Sequence, residues 1–289
     1  MSRIYEALQR ANPELEPSIP ELSDSPEGLT RLVATLSGES PVLDQATPFE
    51  IPSTPEARLV SWMQPNCLGA EKIRVLAAHY KQAQQRRPAK KLLVTSAVRG
   101  DGKSTISLNL AITFAAQGER TLLIDGDLHQ PSLAATLAVD GERGFANWCE
   151  KSEPGKSSLY RAERLPLWFL PAGKSQVQPL TLLQSAQAGA VMNQLTSWFS
   201  RIVIDSPPMV PLADAGVWIN MSDAILLVAR DGKTPKTALT KSLENLDKSK
   251  IFAVVMNEGK ALDEKYYSDY YKNSNSAPLI HQAAAATSL

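Results

Sequence analysis

Residues Ala97-Val98-Arg99-Gly100-Asp101-Gly102-Lys103-Ser104-Thr105 carry two glycines, a lysine and two hydroxyls at the spacing of a phosphate-binding loop, with Ala97 where the pattern opens on glycine. Gly100 and Gly102 let the backbone curl so that successive N–H groups face an anion. Lys103 is placed to reach the β- and γ-phosphates of a nucleotide. The Ser104 hydroxyl is placed to ligate Mg²⁺, with Thr105 beside it. The chemistry is binding of ATP and hydrolysis or transfer of its terminal phosphoryl group. Arg99, Gly100, Asp101, Gly102, Lys103, Ser104 and Thr105 are the candidate nucleotide contacts.

Two acidic sites belong with this loop. The run 121–127 is apolar until it ends in Asp125 and Asp127, and the run 201–205 ends in Asp205. In open parallel sheets ligands bind beyond the carboxyl ends of the strands. Mg²⁺ wants a few hard oxygens together with phosphate. Asp125, Asp127 and Asp205 are therefore candidates to meet the metal and the γ-phosphate, with Lys103 the fourth candidate catalytic group. Taken singly, each acid could equally cap a helix or close a turn.

These residues need a scaffold, and the hydrophobic pattern supplies one. Near-continuous apolar runs at 92–95, 121–124, 167–170, 202–204, 224–229 and 251–256 suit strands buried on both faces. Helical patterns over 70–85, 104–117, 131–138, 180–199 and 235–247 alternate with them, as right-handed crossovers between parallel strands do. The expected fold is α/β: a phosphate-loop NTPase with a mostly parallel central sheet flanked by helices, similar to the partition ATPases.

Residues 1–65 read as an N-terminal extension, a short amphipathic helix at 2–11 followed by a disordered tether. Nine prolines fall between Pro13 and Pro65, with many Ser and Glu and few aromatics. Residues 66–260 read as the ATPase or kinase domain, and 261–289 as a flexible tail. Lysines plus arginines equal aspartates plus glutamates at 30 each, so composition gives no case for nucleic acid. Residues 1–60 hold four arginines against ten acids, which leaves the rest net basic. Its densest run is Arg86, Arg87, Lys90 and Lys91. The two cysteines, Cys67 and Cys149, have no metal spacing and suit a reducing compartment. No apolar run approaches the roughly 20 residues of a membrane helix, and MSRIYEALQRA lacks the apolar stretch of a signal peptide. The expected location is cytoplasmic unless a partner holds the chain at a membrane.

In combination these motifs resemble the bacterial tyrosine kinases of capsule and exopolysaccharide synthesis. The resemblance rests on the phosphate loop, on Ile124-Asp-Gly-Asp-Leu-His-Gln-Pro131, and on Leu170-Pro-Ala-Gly173 with Pro179 and Leu182-Leu183. Ile204-Asp-Ser-Pro-Pro208, Asp214-Ala215, the strand from Asp223 to Arg230, and 254–257 extend it. His129 stands where the family usually carries Arg. Glu71 and Arg74 match the helix that serves ring assembly, while Ala77 replaces its second Arg.

The resemblance implies ATP-dependent autophosphorylation on tyrosine, in trans, regulating polysaccharide polymerisation and export. Tyr266, Tyr267, Tyr270 and Tyr271 would be the acceptors: four of the seven tyrosines lie within six residues. Asp125 would orient or deprotonate the attacking hydroxyl, with Ser104, Asp127 and Asp205 linked to the metal; these roles remain interchangeable among the acids. Asn257 would contact adenine. The implied partners are an integral inner-membrane chain-length protein as activator and further copies of this chain. Two alternatives stay open: an ATP-binding regulatory subunit without kinase activity, and a partition-type ATPase, whose signature lysine is missing from 97–99.

Overall fold

The computed structural model describes residues 41–259 except 86, 152–157, 211–212 and 245. The expected helix at 2–11 and the tail 261–289 lie outside the described residues. Helices α1 (Pro41–Asp44) and α2 (Val60–Met63) flank strand β1 (Thr47–Phe49). The chain continues through α3 (Leu68–Gln84), β2 (Lys91–Ser96), α4 (Lys103–Ala116), β3 (Thr121–Asp125), α5 (Leu133–Thr136) and α6 (Phe145–Lys151). Then come β4 (Tyr160–Ala162), β5 (Leu167–Leu170), α7 (Pro179–Leu183), α8 (Ala186–Trp198), β6 (Arg201–Asp205), α9 (Asp214–Met221), β7 (Ala224–Arg230), α10 (Lys236–Glu244) and β8 (Ile251–Asn257).

Among the described residues eight strands form one sheet in the order β1-β4-β5-β3-β6-β2-β7-β8. From β5 to β8 every pair is parallel, and only β4 and β5 are antiparallel. All six strands expected from the apolar runs are present. Burial on both faces explains why those runs carry no polar alternation: Leu92, Val94 and Val203 pack into one core with α3 and α4, while Leu93, Ile202 and Ile204 pack into the other beneath α6 to α9. Helix α4 is buried almost all round, with Leu108, Leu110, Ile112 and Phe114 at or below 1% exposure.

The structure corrects three expectations. The helix expected over 180–199 is broken into α7 and α8, because Ser185 caps the second by accepting the Ala188 N–H at 3.2 Å. The helix expected over 131–138 shortens to α5, while α6 and α9 were not anticipated. The tether expected to run to residue 65 also fails in its second half. Phe49, Ile51 and Leu59 are buried in the α3–α4 core, and β1 pairs in parallel with β4. Pro48 is accommodated because β1 is the sheet's edge strand. A polar clasp then fixes the chain to α4. The Ser61 N–H donates to Asn109 Oδ1 at 2.9 Å, Asn109 Nδ2 donates to the Arg58 carbonyl at 3.0 Å, and the Thr113 and Ser61 hydroxyl oxygens lie 3.1 Å apart.

Leu59 has 0% exposure, so Leu59→Ala is expected to destabilise the domain by about 2–5 kcal/mol. Urea unfolding checks this. A loss under about 0.5 kcal/mol would mean that the segment does not belong to the core.

Candidate active site

Strand β2 delivers the chain into the loop at 97–102, and α4 begins at Lys103 with Gly102 as its N-cap. Gly100 and Gly102 have φ of +88° and +95°, a region that glycine enters without steric cost. At Gly102 there is a second constraint: a Cβ would lie 2.1 Å from Asn257 Nδ2. The N-terminus of α4 therefore presents free backbone N–H groups and its positive dipole end to the crevice above the sheet, an arrangement that binds phosphate.

The acids arrive from neighbouring strands. Asp125 on β3 and Asp205 on β6 are register partners, and both are fully buried. Burial first, then the nearby Asp205 charge, pushes the Asp125 carboxyl up to about 7, against the pull of backbone N–H donors. Its Oδ2 accepts from Ser132 and Leu133, both at 3.0 Å, and its Oδ1 from Asp127 at 3.3 Å. Asp205 is pushed up to about 6 by burial, opposed chiefly by the Lys103 charge. Its Oδ1 lies 3.3 Å from Ser107 Oγ, while its Oδ2 is buried with no hydrogen-bond partner. Asp127 sits at the crevice floor with Oδ2 3.6 Å from Lys103 Nζ, and the Gln130 N–H holds its Oδ1 at 3.0 Å.

The structure thus brings together Lys103, Asp125, Asp127 and Asp205, with Ser104 half-buried at the rim, its Oγ 3.4 Å from Ser132 Oγ. Arg99 is exposed at the loop's outer edge and Thr105 is half-buried. Asn257 lies against the loop, its amide donating to the Asp101 carbonyl at 2.9 Å. Tyr266, Tyr267, Tyr270 and Tyr271 are outside the described residues. Among the described residues no three His, Cys, Asp or Glu side chains form a metal-binding group.

Sequence reasoning missed the second layer. His129 Nε2 is 2.5 Å from Asp214 Oδ2 at the start of α9, which fastens the Asp127 loop to that helix. Trp218 of α9 is fully buried and donates its indole N–H to the Gly126 carbonyl at 2.9 Å, while the Gly126 N–H donates to the Asp205 carbonyl at 2.7 Å. Asp214 and His129 were visible in motifs, but nothing local marks Trp218, whose partner is 92 residues away.

Comparison with known proteins identifies the group. The tyrosine-protein kinase YwqD of Bacillus subtilis (strain 168) is 30% identical over 218 residues, covering 75% of this chain and 92% of that protein. The chain belongs to the bacterial tyrosine-protein kinases. Other members of the family agree. CpsD of Streptococcus agalactiae serotype III is 30% identical over 170 residues, 58% of this chain and 73% of its own length. The family described as ParA, NUBPL iron-transfer P-loop NTPase, matches residues 87–210. Among solved structures, the VpsO kinase domain superimposes with a TM-score of 0.58 at 29% identity, covering 67% of this chain and all of that one. The chimerical protein CapA2B2 gives 0.66 at 22% identity over 80% of this chain and 99% of its own, a likeness of fold. The fold is that of the P-loop NTPases, and its relatives imply that the chain binds a nucleotide. Among the described residues no helix is long and apolar enough to cross a membrane.

Both buried carboxyls titrate above their ordinary value of 3.8 in the folded chain. The stability they contribute is therefore fully present below about pH 4 and is lost as pH rises through about 6 to 7. Asp125→Asn is expected to narrow the drop in unfolding free energy between pH 5 and pH 8 by more than about 1 kcal/mol, measured by urea titration without metal or nucleotide. An unchanged drop would contradict the buried pair as its source.

Proposed function

We propose that this kinase is an ATP-dependent protein-tyrosine autokinase that regulates exopolysaccharide or capsule polymerisation and export. The observation that carries the reading is the phosphate loop whose lysine faces Asp127 above the paired acids Asp125 and Asp205, in a chain of this family. ATP is the phosphoryl donor, and Tyr266, Tyr267, Tyr270 and Tyr271 are the acceptors. Arg99, Gly100, Asp101, Gly102, Ser104 and Thr105 line the nucleotide's path, and Asn257 closes it.

The donor set suits Mg²⁺. Asp205 has a buried carboxylate oxygen without a hydrogen-bond partner; Ser104 and Asp127 add hard oxygens, and the nucleotide would complete a shell that magnesium builds with few protein ligands. When bound, the ion supplies neutralisation of phosphate charge. Lys103 holds the γ-phosphate and stabilises the charge that develops on its oxygens. The phenolic oxygen attacks phosphorus in line; the new O–P bond forms as the bond to the β–γ bridging oxygen breaks. Asp125, whose carboxyl is pushed up to about 7, orients the hydroxyl or takes its proton near neutral pH, where a base of this strength is most useful. Transfer runs in trans between copies. The chain works in the cytoplasm, held at the inner membrane by an integral polysaccharide chain-length protein that activates it; nothing in its balanced charge favours nucleic acid.

Incubation of purified protein with Mg²⁺-ATP, with and without the cytoplasmic tail of a candidate activator, tests this by phosphotyrosine immunodetection. Lys103→Ala is expected to lower the signal roughly 100-fold or more, and deletion of 265–272 to abolish it while ATP binding persists. ATP binding without phosphotyrosine, even with the activator, would instead favour a regulatory subunit, and released phosphate without phosphotyrosine a partition-type ATPase.

A further inference from the structure

The phosphate loop is gripped from the side away from the acids by residues that the phosphate-loop motif does not include. Asp101 is only 2% exposed, so its carboxylate must find donors. The Thr234 hydroxyl donates to its Oδ1 at 2.7 Å, and the Val98 N–H reaches Oδ2 at 3.4 Å. Thr234 Oγ1 also accepts the Arg230 backbone N–H at 2.6 Å. A hydroxyl has one proton, so that acceptance commits it to Asp101. The turn carrying Thr234 is itself closed by the Thr234 N–H on the Arg230 carbonyl at 3.0 Å, with Gly232 at φ +67°.

Arg230, the last residue of β7, uses all three of its nitrogens. Nε and Nη2 fork onto the two carboxylate oxygens of Glu258 at 2.6 and 2.5 Å, and Nη1 donates to the Gly100 carbonyl at 3.3 Å. Asn257 is oriented by its own neighbour: its Oδ1 accepts the Glu258 N–H at 3.0 Å, which turns Nδ2 onto the Asp101 carbonyl at 2.9 Å. The carbonyls of Gly100 and Asp101 are thus both drawn outward, away from α4. In a loop with glycines at positive φ on either side, drawing those carbonyls out favours an arrangement in which the neighbouring N–H groups point inward, as a nest for phosphate requires. Glu258 holds this position at φ +57°, a conformation that costs a non-glycine residue energy and persists only where its surroundings demand it.

We infer that Arg230, Thr234 and Glu258 are positioning residues for the nucleotide: they latch the phosphate loop, through the carbonyl of Gly100 and the carboxylate of Asp101, in its anion-binding shape. The inference rests on the nucleotide reading of the site and adds to it a dependence on the ends of β7 and β8. Glu258 directly precedes the chain that leads to the tyrosine cluster, so the latch also joins the root of that tail to the loop.

The test is titration of the full-length chain with a fluorescent ATP analogue in Mg²⁺ buffer, with circular dichroism of each variant. Thr234→Val keeps shape and removes the donor to a buried carboxylate; it is expected to weaken binding about tenfold or more, while Thr234→Ser stays within about twofold of wild type. Arg230→Lys keeps the charge but loses the fork and is expected to resemble Arg230→Ala, each weaker by about fivefold or more. Should Thr234→Val unfold, the variants of the half-exposed Arg230 decide alone. Folded Thr234→Val, Arg230→Ala and Arg230→Lys variants with wild-type affinity, beside a Lys103→Ala that has lost it, would overturn the latch and leave the nucleotide site standing. Equal binding by Lys103→Ala and wild type would remove both readings.

Discussion

Asp125 and Asp205 stand side by side at the ends of β3 and β6, sealed from water by the strands, α4 and the Asp127 loop. Two carboxylates in such a place cannot both be charged without a cation nearby, since burial raises both their pKa values, with the Asp205 charge adding to it at Asp125 and the Asp127 charge at Asp205. The architecture around them follows from that constraint. Lys103 must be brought close, which the loop and the start of α4 accomplish. Asp125 must be met by backbone N–H groups, which the turn into α5 supplies. One oxygen of Asp205 is left without a hydrogen-bond partner.

Much of this was legible because the residues concerned are local. A loop with Gly100, Gly102 and Lys103 in four residues reads directly, and an apolar run that ends in Asp identifies a strand end on the ligand side of a parallel sheet. Over 41–65 the expected tether went wrong for the opposite reason. Composition averages over a window, whereas Phe49, Ile51 and Leu59 are few and act singly, each filling a place in a core built by other segments. The packing of the chain around them, with Asn109 and Thr113 of α4 reaching Ser61 and Arg58, is invisible until α4 is placed.

The second layer was unreadable on similar grounds. Trp218 and Thr234 meet their partners across 92 and 133 residues. Each looks ordinary in its own neighbourhood: an aromatic on an apolar helix, a threonine after a glycine turn. Their roles exist only because the strand order places β7 beside β2 and the fold brings Trp218 onto the Gly126 carbonyl. His129 is an intermediate case. It is conspicuous as a departure from the family's arginine, and the structure gives it a carboxylate partner in Asp214 rather than leaving it facing the crevice.

The exit of the chain from β8 has a kinetic meaning. β8 is two strands from β2, about 10 Å at ordinary strand spacing. Tyr266 lies eight positions after Glu258, a contour length of up to about 27 Å. If Tyr266 is an acceptor, as proposed, so short a leash would present it to the crevice at an effective concentration far above that of the protein in a dilute solution. Length therefore does not forbid self-transfer, and transfer between copies can dominate only if the direction of the leash, or an assembly that places a neighbour's tail closer still, excludes it. On the proposed reading, the order of the reaction in protein concentration would depend on where the chain leads from Glu258.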